Sequence, residues 1–467
     1  MESAKITLTL DASVIEALYK AIKDSYMQTP NCTAGLSRVE KALQAASDTK
    51  ALHIGGGIPG RTAVIVADAT TFRVAGSRVQ QALQAAGISQ LPPFVFTDPG
   101  LYARYDYVDR LTDFLKGNSA IPVAVGSGTI NDLTKLSSHL AGRRYMTVAT
   151  AASMDGYTAF GASITKDGAK QTFSCPAPQA VLADIDIIRH APAQMTASGY
   201  ADLFAKLTAG ADWILADWMG VEPIDNQAWA IVQDGLKDAL ADPEGARRGD
   251  ARAIEQLIEG LMLGGFAMQW SKSSRPASGA EHQFSHLWNM EHHLNHGQTV
   301  SHGFQVSIGM LAVTAFYEQV LNTSFEDLDV EACCDRWPAD EEIEARAREM
   351  FKGTDFPDIG VQETRAKSVT RRQLAAQLQQ LKDYWPQIRQ RLSDQLLPYK
   401  EVKQRLQLVG APTEPEEIGI SRRRLRDSFV RAQYIRRRFT VLDLAVRTGY
   451  MDRWLDALFG KGGIWEI

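Results

Sequence analysis

The spacing of apolar positions along this chain switches between two periods. Ala63-Val64-Ile65-Val66-Ala67-Asp68 is a short, β-branched apolar run ending in a carboxylate, and Thr71 to Ala86 then takes helical spacing until Gly87 stops it. Together they predict a βα unit. Pro93-Phe94-Val95-Phe96, Ile121-Pro122-Val123-Ala124-Val125 and Arg144-Tyr145-Met146-Thr147-Val148-Ala149 are further strand candidates, with helical stretches over Val108 to Leu115 and Asp132 to Leu140 between them. Strands alternating with helices predict a parallel sheet covered on both faces, with ligands bound beyond the strands' carboxyl ends.

Val181 to Ile188 is a last strand-like piece, and after Pro192 the pattern is helix-rich to the end. Arg365 to Arg391 is a polar helical segment striped by Leu374, Leu378 and Leu381, and Pro412 to Ile418 is a Pro/Glu loop. The first fifty residues are predicted helical, with Val14, Leu18 and Ile22 at four-residue spacing. The expected class is α/β: a Rossmann-like parallel-sheet domain over 1–175, then an all-helical metal- and substrate-binding domain over 176–467 with an extended helical tail.

Composition narrows the setting. A length of 467 residues suits two domains, each large enough for its own core. The formal net charge of −5 argues against a nucleic-acid partner. Cys32, Cys175, Cys333 and Cys334 show no C-x-x-C spacing and no disulfide framework, which fits a reducing, cytoplasmic compartment. The amino terminus lacks a leader-like pattern and no run of about eighteen apolar residues occurs, so neither secretion nor a membrane is expected.

The candidate chemistry centres on Ser278-Gly279-Ala280-Glu281-His282-Gln283-Phe284-Ser285-His286. His282 and His286 stand four apart, so on a helix they share one face, and His302, opening the next apolar segment, brings a third imidazole. Asp202, in Gly199-Tyr200-Ala201-Asp202-Leu203, is a candidate carboxylate ligand. An i,i+4 histidine pair is also compatible with a solvated face. The zinc-protease pattern H-E-x-x-H is not met, because Glu281 precedes His282.

Two glycine-rich stretches compete for a phosphate. Gly55 to Gly60 matches G-x-G-x-x-G but precedes its strand and contains Pro59, so it reads as a decoy. Gly126-Ser127-Gly128-Thr129-Ile130 directly follows a strand and opens a helix, as a pyrophosphate site needs, although a plain βα turn would use the same glycines. Asp68 either accepts from an adenosine ribose or caps the following helix. Lys206, four residues beyond Asp202, is the favoured partner for a substrate phosphate, with Lys272 and Arg275 as further cations and a surface charge as the plain alternative for each. Arg422-Arg423-Arg424 and Arg436-Arg437-Arg438 are read as a solvated or ion-paired helix face in preference to an anion-binding patch.

These pieces, with Thr150-Ala151-Ala152-Ser153-Met154-Asp155-Gly156-Tyr157-Thr158 and His302-Gly303, closely resemble the sn-glycerol-1-phosphate dehydrogenase family, especially its bacterial branch, within the dehydroquinate synthase-like and metal-dependent alcohol dehydrogenases. The resemblance covers roughly residues 50 to 315, and Ser153-Met154-Asp155-Gly156 is its most specific part. It implies that Gly126, Ser127, Gly128, Thr129 and Ile130 hold the phosphates of NAD(P), and that Thr150 and Ser153 line the nicotinamide side. It implies further that Asp155 touches substrate and that Asp202, His282 and His302 bind one divalent metal, with His286 contacting substrate beside it. Ala159 stands where the family often has a serine that contacts cofactor. Asp and two His suit zinc, nickel or iron. The implied reaction is reduction of dihydroxyacetone phosphate to sn-glycerol 1-phosphate, with Asp202 (through the ion) and His286 as the catalytic groups, a phosphorylated small molecule as partner, and a homodimer as assembly. A polyol dehydrogenase, a phosphate-eliminating synthase and a non-catalytic binding protein on the same scaffold are the alternatives. The resemblance explains the tail beyond about residue 320 only as extra helical structure.

Overall fold

The computed structural model describes residues 62–166 and 169–467. The predicted amino-terminal helical stretch and Gly55 to Gly60 lie outside the described residues. The chain forms two compact units: one ends at Leu203 and takes in Gly235–Ser273, and the other comprises Phe204–Asp234 and Ser274–Ile467.

The first unit is built on the predicted parallel sheet. Its strands are β1 (Thr62–Asp68), β2 (Ser89–Gln90), β3 (Phe94–Phe96), β4 (Ile121–Gly126), β5 (Met146–Ala149) and, after an antiparallel hairpin of β6 (Ala162–Lys166) and β7 (Ala169–Phe173), β8 (Ala180–Ala183). One edge of β1 carries β2 and then β3, the other pairs β4, and β5 and β8 follow outward, all parallel. The chain thus leaves β1 to one side and returns on the other. That reversal opens a crevice beyond the carboxyl ends of β1 and β4, where Asp68 and Gly126 lie.

Alternation along β1 explains why both faces are covered. Ala63, Ile65 and Ala67 join Val79, Leu83, Val123 and Val148 in one core, while Val64 and Val66 join Val108, Leu111, Leu133 and Leu136 in another. The covering helices are α1 (Ser77–Ala85), α2 (Tyr105–Lys116) and α3 (Gly128–Leu140). Each wholly buried Val or Leu contributes about 1.5–3 kcal/mol by leaving water.

Three boundaries differ from the sequence reading. The segment over Val181 to Ile188 is strand only to Ala183, because Asp184 accepts a hydrogen bond from the Asp186 N–H at 2.9 Å and caps a short helix over Ile185–Ile188. A break at 175/176 would strip β8 from the sheet that it completes through Met146↔Ala180 and Ala149↔Ala183. Helix α3 begins at Gly128, four residues earlier than its apolar pattern suggests, so Gly128 to Ile130 are its first turn.

Two helices follow one another through Ala205, α4 (Ala193–Phe204) and α5 (Lys206–Trp218). A Cβ on Gly199 of α4 would lie 2.0 Å from the Ala152 carbonyl oxygen, so only glycine lets this helix approach the loop after β5. The long α6 (Ala251–Ser271) closes the first unit. In the second unit α7 (Ala280–Met290) and α8 (His302–Leu321) cross closely, a Cβ on Gly309 reaching 2.5 Å from the Glu281 carbonyl oxygen. Among the described helices α8 is the one long and apolar enough to span a bilayer, and it is mostly buried. Against α7 packs α9 (Arg422–Tyr434), with Phe429 edge-on to Phe284 at 4.9 Å, and α10 (Val441–Thr448) follows it. Leu374, Leu378 and Leu381 are buried as the stripe predicted, and the Pro/Glu loop holds a 3-10 turn over Pro415–Ile418.

Gly199→Ala is expected to destabilise the protein by about 1–3 kcal/mol in denaturant unfolding, because the added methyl has no space. Gly117→Ala, whose Cβ would meet nothing closer than the Phe114 carbonyl at 3.4 Å, is expected to stay within about 0.5 kcal/mol of the parent.

Candidate active site

The crevice of the first unit collects most of the predicted cofactor residues. Gly126 ends β4 and pairs with Ala149 of β5, and Thr150 follows with its N–H on the Gly126 carbonyl at 3.2 Å. A Cβ on Gly126 would lie 2.6 Å from the Ile130 Cβ, so glycine is what lets strand turn into helix here. Ser127 caps α3 by its backbone position only, with no side-chain hydrogen bond to the first turn. The N–H groups of Gly128, Thr129 and Ile130 therefore present an uncapped helix terminus of the kind that accepts a phosphate. The Ile130 side chain is itself core, 1% exposed, so only its backbone belongs to the crevice. Asp68 does cap its helix, its Oδ1 accepting from the Thr70 and Thr71 N–H groups at 2.8 and 2.9 Å, and its Oδ2 takes no part in that cap.

The loop from Thr150 to Gly161 is held by backbone-directed bonds. Lys135 of α3, wholly inside, donates to the carbonyls of Gly156, Ala159 and Gly161 at 2.9, 2.9 and 3.0 Å, and Asn131 one turn earlier donates to Gly156 at 3.2 Å. From the other side, Ser198 of α4 donates to the Ser153 carbonyl at 3.3 Å, and one turn on the Asp202 Oδ2 accepts from the Asp155 N–H at 3.1 Å. The loop's exit is tied to α6, where Gln269 donates to the Thr158 carbonyl and Thr158 to the Met262 carbonyl. Asp202 is wholly buried, and Ala159 is buried with its carbonyl spent on Lys135.

In the second unit His282 and His302 meet with ring centroids 5.2 Å apart. His282 donates through Nδ1 to Glu281 at 2.9 Å. Ser285 donates to the Gln305 Oε1 at 2.9 Å, so its oxygen accepts from the His302 Nδ1 at 3.2 Å. Each imidazole is thereby oriented through Nδ1, the arrangement in which Nε2 is the nitrogen offered to a metal. His302 is placed by the cap before it, the Ser301 hydroxyl accepting from the Phe304 N–H. His286, one turn beyond His282, accepts at Nε2 from Arg436 at 3.0 Å and so keeps its proton on Nδ1.

Two buried carboxylates support this pair. Glu281 accepts from the Gly279 N–H at 2.6 Å and the Thr208 hydroxyl at 2.9 Å besides His282. Burial pushes its carboxyl up, but the His282 bond and charge and the Gly279 bond outweigh that and hold it below the ordinary value. Asp212 accepts from the Ala280 N–H at 2.7 Å, the Tyr317 hydroxyl at 2.6 Å and the Val441 N–H at 2.8 Å, which joins α5, α7, α8 and α10 at one carboxylate. Burial, and then the Glu281 charge, raise Asp212 to about 7.

Lys206 is wholly buried at the start of α5, not a surface cation. Lys272 is exposed at the left-handed end of α6, and Arg275 is buried, donating to the Asp212 and Phe439 carbonyls and pairing with Glu222 at 3.3 Å. The basic tail divides in a way that helix periodicity did not predict. Arg436, Arg437 and Arg438 lie between α9 and α10, off any helix. Arg437 is exposed and pairs with Glu363, while Arg436 and Arg438 turn to the α7 side. The sequence reading missed Lys135, Asn131, Asp212, Glu281 and these two arginines. For Lys135 one signal existed, a cation inside the apolar stripe of Ile130, Leu133 and Leu136.

Comparison with known proteins adds three findings. A family of iron-containing alcohol dehydrogenases matches residues 44–192. A glycerol-1-phosphate dehydrogenase [NAD(P)+] of Geobacillus stearothermophilus is 30% identical over 322 residues, 68% of this chain and 70% of that one, and its counterpart in Halalkalibacterium halodurans is 33% identical over 265 residues, 56% of this chain and 66% of that one. A probable glycerol dehydrogenase from Sinorhizobium meliloti superposes with a TM-score of 0.53 at 17% identity, covering 85% of this chain and 92% of that one, which establishes the shared fold.

Burial gives Asp212 a pH-dependent share in stability. Its folded pKa lies above the ordinary 3.8, so the folded state binds this proton more tightly than the unfolded state. Its contribution is complete below about pH 4 and is lost as pH rises through 7, with a slope of at most about 1.4 kcal/mol per pH unit. Urea unfolding between pH 4 and 8 is expected to show this decline in the parent and a flatter profile in Asp212→Asn.

Proposed function

The chain belongs to the glycerol-1-phosphate dehydrogenase family, and from that premise we propose that it reduces dihydroxyacetone phosphate to sn-glycerol 1-phosphate with NADH or NADPH and one divalent metal ion. The observation that carries this reading is the pair His282 and His302, whose rings meet 5.2 Å apart with each Nδ1 bonded to a neighbouring polar group. We propose Asp202 as the third ligand, through the oxygen that the Asp155 N–H does not use. One carboxylate and two imidazoles leave an open position, as a catalytic ion requires, and zinc is the ion we favour over nickel or iron.

When bound, the ion would act as a Lewis acid on the ketone while the reduced nicotinamide provides the hydride. The chain's own residues do the rest. The uncapped terminus of α3 receives the dinucleotide pyrophosphate, Asp68 accepts from the ribose through Oδ2, and Thr150 and Ser153 border the nicotinamide. Asp155 orients the substrate, its backbone fixed on the same carboxylate that we assign to the metal. His286 holds its proton on Nδ1 and is the group from which a proton can pass to the reduced oxygen. The buried, unpaired Cys175, Cys333 and Cys334 suit a cytoplasmic protein, and we expect a homodimer.

Metal-stripped protein refilled separately with zinc, nickel and iron is expected to oxidise NADH stoichiometrically with dihydroxyacetone phosphate and poorly with dihydroxyacetone. Equal turnover of the unphosphorylated ketone would make the protein a polyol dehydrogenase, and cofactor recycled without net oxidation would make it a synthase. Glu281→Gln is expected to weaken metal affinity by about 10–100-fold, read by competition with a chelator, because the His282 ring loses its charged partner.

A further inference from the structure

His282 and His286 stand four apart on α7 and so share one face, about 6 Å apart along the axis, and Ser278 lies just before Gly279, the residue that caps this helix. Two arginines from the link between α9 and α10 reach this stretch, one before the helix and one at His286. Arg438 donates through Nη1 to the Ser278 carbonyl at 2.6 Å and to the Ser278 hydroxyl, and through Nη2 to the Ser274 hydroxyl at 2.8 Å. Arg436 donates to His286. His282 lies between these two contacts along the chain.

Both guanidiniums have donors to spare. Of the five N–H groups on each, these bonds use three on Arg438 and one on Arg436. Among the described residues no carboxylate pairs with either. Glu363, the acid that acts on Arg436, is engaged by the Arg437 side chain and backbone; of the two acids that act on Arg438, Glu222 pairs with Arg275 at 3.3 Å and Glu281 is turned to His282 and the Gly279 N–H. Burial, followed by the charges of Arg275 and Arg436, pushes Arg438 down to about 9. Positive charge is thus concentrated, partly desolvated, beside the imidazole that we assign to the metal.

We infer that Arg436 and Arg438 bind the phosphoryl group of the substrate, an assignment that rests on the function proposed above and names the determinant of its preference for a phosphate ester. The ester phosphorus is three single bonds from the ketone carbon, within about 5 Å at about 1.5 Å per bond, a reach comparable to the one helical turn from His282 to His286, where Arg436 is bonded. A phosphate monoester carries about −1.5 to −2 charges, which two guanidiniums with open forks neutralise while donating several hydrogen bonds. The arginines come from the part of the tail that the family resemblance did not explain, and their position sets it a task.

The test is the ratio of kcat/KM for dihydroxyacetone phosphate to that for dihydroxyacetone, in the metal-loaded full chain and in Arg436→Gln and Arg438→Gln. Each variant is expected to lower the ratio about 10–100-fold, mainly through KM for the phosphate ester, with KM for NADH unmoved and with partial recovery in the corresponding Lys variants. Inorganic phosphate is expected to raise the thermal midpoint of the parent and to do so less in Arg436→Gln, a readout independent of turnover and of the Ser274 and Ser278 ties. A parent that prefers the phosphate ester, with variants that keep that preference and its phosphate-dependent midpoint, overturns this inference and leaves the proposed function standing. A parent with no preference overturns both.

Discussion

The second unit depends on two adjacent buried carboxylates with opposite tasks. Asp212 gathers two backbone N–H groups and a tyrosine hydroxyl from three helices, so the start of α7 cannot move without breaking a bond to a wholly buried carboxyl group. Leaving such a group unpaired costs several kcal/mol, far more than the net worth of the bonds themselves. Glu281, held in turn by the Gly279 N–H and Thr208, fixes the tautomer of His282. Position and protonation of the first imidazole therefore come from one network. The closeness has a steric condition, since a Cβ on Gly279 would lie 2.5 Å from the Asp212 Oδ2 and 2.9 Å from the Glu281 Oε2.

The first unit solves a similar problem with the backbone as the object held. The loop after β5 carries the Ser153-Met154-Asp155-Gly156 segment, and most of its bonds run from buried side chains to its carbonyls. Lys135 satisfies three of them with one ammonium, which also answers how a lysine can be buried there. Gly199 and Gly265 make the approach possible, because a methyl at either would overlap the loop. The Asp155 N–H and the Asp202 carboxylate are joined directly, so the proposed substrate and metal residues of this unit share one hydrogen bond.

The tail beyond α8 is better understood as part of this chemistry than as an appendage. Sequence alone suggests a solvated or ion-paired helix face for its basic run. The chain there leaves α9 at Tyr434 and enters α10 at Val441, so the three side chains are free of helical spacing and part company. Arg437 takes the ordinary surface ion pair, while Arg436 and Arg438 reach α7.

Sequence alone determined the parallel sheet, the glycine turn after β4, the histidine row on α7 and the family, because each is written in residues a few positions apart. Period two or period 3.6, Gly126 beside Ile130, and His282 four before His286 are local facts that a linear reading captures. Tertiary structure alone decided which polar residues became supports. Asp212 meets Ala280, Tyr317 and Val441 across 68, 105 and 229 positions, and Lys135 meets the Gly156 loop across 21. Nothing near Asp212 in the chain distinguishes it from a surface carboxylate. Its role exists because folding removes water from it and supplies donors from elsewhere, and that exchange has no local signature.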